Sequence, residues 1–174
     1  MPRFLLSAAI VVVAVMAQIV GDRAAAPLGL DFLVLPVVFM SLRRGSEVGA
    51  GWGFVCGLCH DMVGGGVLGA HAFGKALAGG LLGRLSHRFD RNSPLLQALA
   101  TAAGALVSTS AAVLLRTALG AEGSLLSTPL LRIGGLVLAT TVSSAVIGPP
   151  GFWALVRLSG WRYRDGEGKW RFYA

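Results

Sequence analysis

Apolar runs of about fifteen to twenty-one residues follow one another along almost the whole chain, separated only by short polar or glycine-rich joints. This spacing limits the fold more than any single motif. A helix needs roughly 20 mostly apolar residues, within a range near 17–25, to cross a bilayer. Segments of about that size lie at Phe4–Val20, Leu28–Leu42, Val48–Met62, Val67–Leu82, Leu95–Leu115 and Leu130–Ile147. Of the 174 residues, 55% are hydrophobic and 13% charged, more apolar surface than so small a soluble particle can enclose. A transmembrane barrel would alternate apolar and polar residues, and these runs are continuous instead. The expectation is an all-α, polytopic transmembrane helix bundle of about six spans, forming one domain over residues 1–174. No joint has room for a soluble domain, and no internal repeat or low-complexity linker is visible.

Orientation follows from lysine and arginine, which accumulate in cytoplasmic loops near span ends. Eleven of the 15 basic residues fall on one side of a six-span layout: Arg3, Arg43, Arg44, Arg84, Arg88, Arg91, Arg157, Arg162, Arg164, Lys169 and Arg171. Arg23, Arg116 and Arg132 fall on the other side, and Lys75 lies within the fourth span. Both termini are therefore expected in the cytoplasm. The net charge of +7 is scattered over span ends, not gathered in a groove with stacking aromatics, which argues against nucleic acid. The 152–174 segment mixes arginines with Trp153, Trp161, Tyr163, Trp170 and Tyr173, as suits an interfacial segment and basic cytoplasmic tail on an anionic leaflet.

Arg3 before an apolar run and Ala24-Ala25-Ala26 after it resemble a signal peptide. The run is longer than most signal cores, and removing it would leave an odd span count that the charge asymmetry does not support, so it is read as a span. Gly148-Pro149-Pro150-Gly151 is the strongest breaker, where the sixth span should end or bend. Pro36 marks a further kink site in the second span.

The third and fourth spans carry the most information. Gly49, Gly53, Gly57 and Asp61 recur every four residues, as do His71, Lys75, Gly79 and Gly83. Small residues at this spacing let helices approach closely in lipid. A short turn through Gly64, Gly65 and Gly66 makes the pair an antiparallel hairpin, expected to set Gly49 against Gly83, Gly53 against Gly79, Gly57 against Lys75 and Asp61 against His71. An unpaired intramembrane charge costs from about 2.5 to well over 10 kcal/mol. A buried network of Asp61, His71 and Lys75 is therefore expected at the non-cytoplasmic end, the simpler alternative being that Asp61 only caps the fourth helix. Both helices are short for a core of about 30 Å, which gives the further expectation of a small outward cavity with Asp31, Asp61, His71 and Lys75 at its rim.

Cys56-Gly57-Leu58-Cys59-His60 matches the C-x-x-C-H pattern of covalent haem attachment. It lies inside a close-packing glycine helix, and small packing cysteines are the preferred reading over haem, structural metal or a redox dithiol. No nucleophile–base pair, phosphate loop, metalloprotease motif or carboxylate dyad stands out, so no enzyme activity and no cofactor are expected. Ser108, Thr109, Ser110, Thr140, Thr141, Ser143 and Ser144 read as hydroxyls satisfying helix carbonyls.

A family resemblance rests on Pro27-Leu28-Gly29-Leu30-Asp31-Phe32-Leu33, then Ser41-Leu42-Arg43-Arg44-Gly45, then Gly53-Phe54-Val55-Cys56-Gly57-Leu58-Cys59-His60-Asp61. Leu68-Gly69-Ala70-His71-Ala72 and Gly83-Arg84-Leu85 complete it. In this order the motifs resemble those of the rod shape-determining MreD family, from about Pro27 to Arg91. Cys56, Cys59 and His60 depart from it, since aliphatic residues are more usual there. The resemblance implies a non-enzymatic, multi-pass inner-membrane protein of the bacterial elongation machinery. Such a protein contacts MreC and acts with RodA, a class B penicillin-binding protein and MreB in peptidoglycan synthesis. It also implies a fold like the substrate-binding subunits of energy-coupling-factor transporters. Asp31 and Asp61 are then candidate structural anchors. Gly49, Gly53, Gly57, Gly79 and Gly83 are candidate packing positions. Arg43, Arg44, Arg84, Arg88 and Arg91 would meet headgroups or cytoplasmic partners. The alternative function is a substrate-binding membrane subunit for vitamin or small-molecule uptake, and a proton-coupled carrier using Asp61, His71 and Lys75 is a third reading.

Overall fold

The computed structural model of the chain describes residues 2–24, 30–64, 67–86, 93–120, 130–159, 163–164 and 170–171. Six α-helices occupy these residues: α1 Pro2–Ala24, α2 Val34–Arg44, α3 Ser46–Gly64, α4 Ala70–Leu85, α5 Pro94–Ala118 and α6 Leu130–Ser159. In the tail, β1 (Tyr163–Arg164) pairs antiparallel with β2 (Trp170–Arg171) over two residues each.

Local chemistry sets several boundaries. Gly45 takes φ 89°, a conformation that glycine adopts without steric cost, so α2 stops and α3 starts within one residue. Ser93 is extended at the α5 N-cap and is followed by proline, whose missing N–H costs nothing in a first turn. At Pro149 and Pro150 the outcome differs from an ending: α6 continues through both to Ser159. Tertiary contact supplies the reason. A methyl on Gly148 would lie 2.8 Å from Thr101 Oγ1 and one on Gly151 2.7 Å from Leu35 Cδ1, so glycines on both sides of the prolines dock α6 onto α5 and α2. Neighbouring helices are what allow proline inside a membrane-type helix.

α2 is the central element. Val34 to Leu42 are all buried, and α3, α4, α5 and α6 surround them. Val34, Val38, Phe39, Met40 and Leu42 share a core with Ala100, Phe152 and Val156, and the Phe39 and Phe152 rings meet edge to face at 5.7 Å. With 11 residues, α2 is only about 16 Å long at 1.5 Å per residue, roughly half a hydrocarbon core of about 30 Å. Among the described residues, two stretches, Pro94–Ala118 and Gly134–Arg157, are long and apolar enough by length and composition to cross a membrane.

On α5 and α6 the side-chain distribution is inverted relative to a protein packed in water. On α5, Gln97, Ala100, Thr101, Gly104, Ala105, Ser108 and Ala112 face inward, while Leu95, Leu99, Leu106 and Leu114 are exposed. α6 exposes Leu136, Leu138, Val142 and Val146 and buries Thr140 and Ser144. Exposed apolar area on this scale marks a lipid or protein contact surface. Most interior hydroxyls turn back onto their own helix, as Thr101 does to Gln97 O at 2.6 Å, Ser108 to Ala105 O at 3.1 Å and Thr140 to Leu136 O at 2.8 Å.

α3 and α4 form the most extensive helix pair, with glycine on both faces. Their register differs from the expected one. A methyl on Gly49 would lie 2.6 Å from Gly79 O, one on Gly53 2.2 Å from Lys75 O, and one on Gly57 2.4 Å from His71 O. Each of these partners is one helical turn from the residue that a symmetric hairpin would supply. The asymmetry arises because α3 continues to Gly64 whereas α4 begins only at Ala70, so the end of α3 overhangs the start of α4.

Candidate functional site

The overhang places Asp61 above the first turn of α4, where the backbone N–H groups lack helical acceptors. Its Oδ2 accepts from Gly69 N at 2.9 Å and Ala72 N at 3.2 Å, and its Oδ1 from His71 N at 3.1 Å. Gly69, at φ 98°, turns the chain into position for this. A carboxylate on N–H groups at the positive end of a helix dipole is stabilising. Asp61 therefore does cap α4, and it also takes a side-chain bond, His71 Nδ1 donating to Oδ1 at 2.9 Å. From α5, Arg116 brings Nη2 within 3.3 Å of the same ring nitrogen.

Lys75 does not join Asp61, and the expected three-residue network is corrected here. Its side chain is fully buried, and Nζ donates to Asp31 Oδ2, from the segment leading into α2. The one-turn shift in register puts the Lys75 backbone against Gly53, deeper than expected, and the residue that meets its ammonium is the carboxylate at the mouth of α2. His60 links the two pairs. Its ring stacks on His71 at 4.0 Å with 4° between planes, and its Nδ1 faces Asp31 Oδ1 across 3.9 Å. Neither of these two atoms bonds another protein group.

Asp31 is held by a residue that the sequence reading passed over. Gln18 of α1 is 1% exposed; its Nε2 donates to Leu30 O at 2.8 Å and its Oε1 accepts from Phe32 N at 2.8 Å. The amide closes both free backbone groups flanking Asp31, as a neighbouring β-strand would. Non-helical backbone at membrane depth requires such satisfaction. Nearby, Gly21 allows Phe32 to approach, since a methyl there would lie 2.8 Å from its ring. An amide inside an apolar first span was the available signal for Gln18; for Arg116 there was none beyond its charge.

The cluster of Asp31, His60, Asp61, His71, Lys75 and Arg116 thus joins the α2 entrance to α3, α4 and α5. In it Asp31 faces Lys75 and His60, Asp61 faces His71, and Arg116 reaches the His71 ring. Cys56 is buried in an apolar cluster with Leu33 and Val37, and among the described residues no group of three or more His, Cys, Asp or Glu is arranged to hold a metal ion. Gly83 packs on Ser46, which brings Arg84 to the same end as Arg43 and Arg44; the Arg43 guanidinium lies 5.4 Å from the centre of the Phe39 ring. Arg88 and Arg91 lie outside the described residues, as does most of the tail.

Buried polar pairs, small-residue interhelical contacts and an exposed leucine surface define a membrane-associated helical bundle whose charged core ties its helices together. Residues 1–141 match the family model of the rod shape-determining protein MreD, and the chain belongs to that family. Its role accordingly lies in determining rod shape. No curated protein and no solved structure matches the chain.

Proposed function

We propose that the chain is a six-span, multi-pass scaffold of the bacterial inner membrane, with both termini in the cytoplasm, that binds MreC and supports lateral peptidoglycan synthesis without catalysing a reaction. RodA, a class B penicillin-binding protein and MreB complete its set of partners. In this reading the fold is that of the substrate-binding subunits of energy-coupling-factor transporters; the expected interfacial segment from 152 is corrected, because α6 runs on to Ser159 and buries Phe152 and Val156 against α2, and only the residues after α6 are left as a basic cytoplasmic tail.

The observation that carries the reading, beside family membership, is the character of the interior. Its two aspartates are engaged by the fold itself, Asp31 through Lys75 and Asp61 through the α4 N-terminus, as in a packing framework. The exposed surface, by contrast, is apolar along α1, α3, α4, α5 and α6, which suits docking of a single transmembrane helix through packing alone.

Co-expression with MreC from the same genome, gentle solubilisation and co-purification test the proposal. The two proteins are expected to elute together. Gly53→Leu, checked for membrane level, is expected to lose MreC because it forces α3 from α4. Absence of any association with a well-folded protein would overturn the scaffold reading.

A further inference from the structure

Two buried atoms of the polar cluster are left over by its pairs. Asp31 is 6% exposed; Lys75 occupies its Oδ2, and its Oδ1 bonds no protein group. Nδ1 of His60 bonds none either, and it faces that oxygen across 3.9 Å. Buried polar atoms without a hydrogen bond are costly, and native structures satisfy nearly all of them. A direct N–H···O bond ends at about 3.2 Å, so these two atoms are too far apart to bond each other and close enough to share one bridging molecule. The fold keeps the gap from both sides. Lys75 fixes the Asp31 carboxylate, and the Gln18 amide fixes the backbone around it at Leu30 O and Phe32 N. The His60 ring lies on His71, with 4.0 Å between centroids and 4° between planes, and Asp61 holds His71 through both its backbone N–H and its ring. Direct contact would shift one ring against the other or draw the carboxylate from Lys75.

Charge selects the occupant. The Lys75 ammonium on the same carboxylate disfavours a cation, and among the described residues no group of three or more His, Cys, Asp or Glu is arranged to hold a metal ion. The carboxylate disfavours an anion. A neutral molecule that both donates and accepts serves Asp31 Oδ1 together with either tautomer of a neutral imidazole. Between atoms 3.9 Å apart only the smallest such molecule, water, can bond both. Lys75 has three N–H donors, of which Asp31 takes one, so its ammonium is available for the third bond that a buried water commonly makes.

We propose that one water molecule is bound between His60 of α3 and Asp31 at the entrance to α2, bridging Nδ1 and Oδ1 as a fixed part of the fold. His60, the last residue of the C-x-x-C-H match, thereby has a structural task that involves neither metal nor haem. The site stands whether or not the chain binds MreC. The test is a crystal structure of the full-length protein grown in a lipidic mesophase, at a resolution that shows ordered water. A density peak is expected within about 3.2 Å of both atoms. His60→Phe keeps a ring on His71 and removes Nδ1, so the peak is expected to be lost while the Lys75–Asp31 pair remains. No peak in the unaltered chain, direct contact between the two side chains, or a peak unchanged in His60→Phe would overturn the proposal. So would anomalous scattering from the peak, the mark of a metal ion. Should His60→Phe not fold, the peak in the unaltered chain and nitrogen-15 NMR of histidine-labelled protein in bilayers decide the matter. A neutral His60 ring is expected, whereas an imidazolium, which pairs with Asp31 directly, overturns the bridge.

Discussion

Gly53→Ala tests the α3–α4 contact at its tightest point. The added methyl would stand 2.2 Å from Lys75 O, 2.5 Å from Lys75 C and 2.7 Å from Ala76 N. All three are backbone atoms, so no side-chain rotation relieves the clash and the helices must separate by about an ångström. Overpacking of this kind costs about 1–3 kcal/mol, here towards the upper end because backbone has to move. Against it, alanine gains about 1 kcal/mol over glycine in a helix interior. The difference is a net loss of about 1–2 kcal/mol. Gly51→Ala supplies the reference: it lies on the same helix, is exposed and has nothing within 4 Å of the new methyl, so only the propensity gain remains. Unfolding of the purified protein in mixed micelles, titrated with a denaturing detergent and followed by far-ultraviolet circular dichroism, measures both. The expected order of stability is Gly51→Ala, then the unaltered chain, then Gly53→Ala. A Gly53→Ala protein as stable as Gly51→Ala would refute the close-packed register.

Three further outcomes follow from the polar cluster. Lys75→Met leaves Asp31 buried without its cation and is expected to cost about 3–5 kcal/mol, whereas Lys75→Met combined with Asp31→Leu should recover part of that loss; the same detergent titration, arranged as a double-mutant cycle, measures the coupling. Gln18→Leu removes the partners of Leu30 O and Phe32 N, with an expected cost of about 1–3 kcal/mol for each group left unsatisfied, and hydrogen exchange should show the Phe32 amide losing protection while the α5 amides keep theirs. Asp61→Ala uncaps α4 for a cost of about 0.5–2 kcal/mol; Asp61→Asn, which still accepts hydrogen bonds, should cost less, and equal losses in the two variants would count against capping.

Much of the helical architecture was legible because periodicity is local. A run of apolar residues with small residues every fourth position states which face of a helix can approach another, whatever the rest of the chain does. Gly49, Gly53, Gly57, Gly79 and Gly83 could thus be singled out as packing positions without any knowledge of their partners. Ser108, Thr140, Thr141 and Ser143 were legible for the same reason, since their acceptors lie three or four residues back on the same helix, whereas the buried Ser144 hydroxyl finds no such acceptor. The polar residues Asp31, Asp61, His71 and Lys75 were conspicuous because charge amid apolar sequence is costly, but conspicuousness does not say which groups pair.

By itself, then, the sequence determined that this chain forms apolar helices, that α3 and α4 meet through glycine, and that a few ionisable groups must be neutralised among them. Tertiary structure decided the pairings. Lys75 had two aspartates available and took Asp31, 44 residues away, because the overhang of α3 shifts the register by a turn and commits Asp61 to the α4 N-terminus. Gln18 reaches Leu30 and Phe32 only because α1 lies beside the mouth of α2. α6 passes its two prolines because α5 and α2 press against the glycines around them. In each case the deciding quantity is the axial offset between elements, set by the sum of many contacts and encoded in no single stretch of the chain.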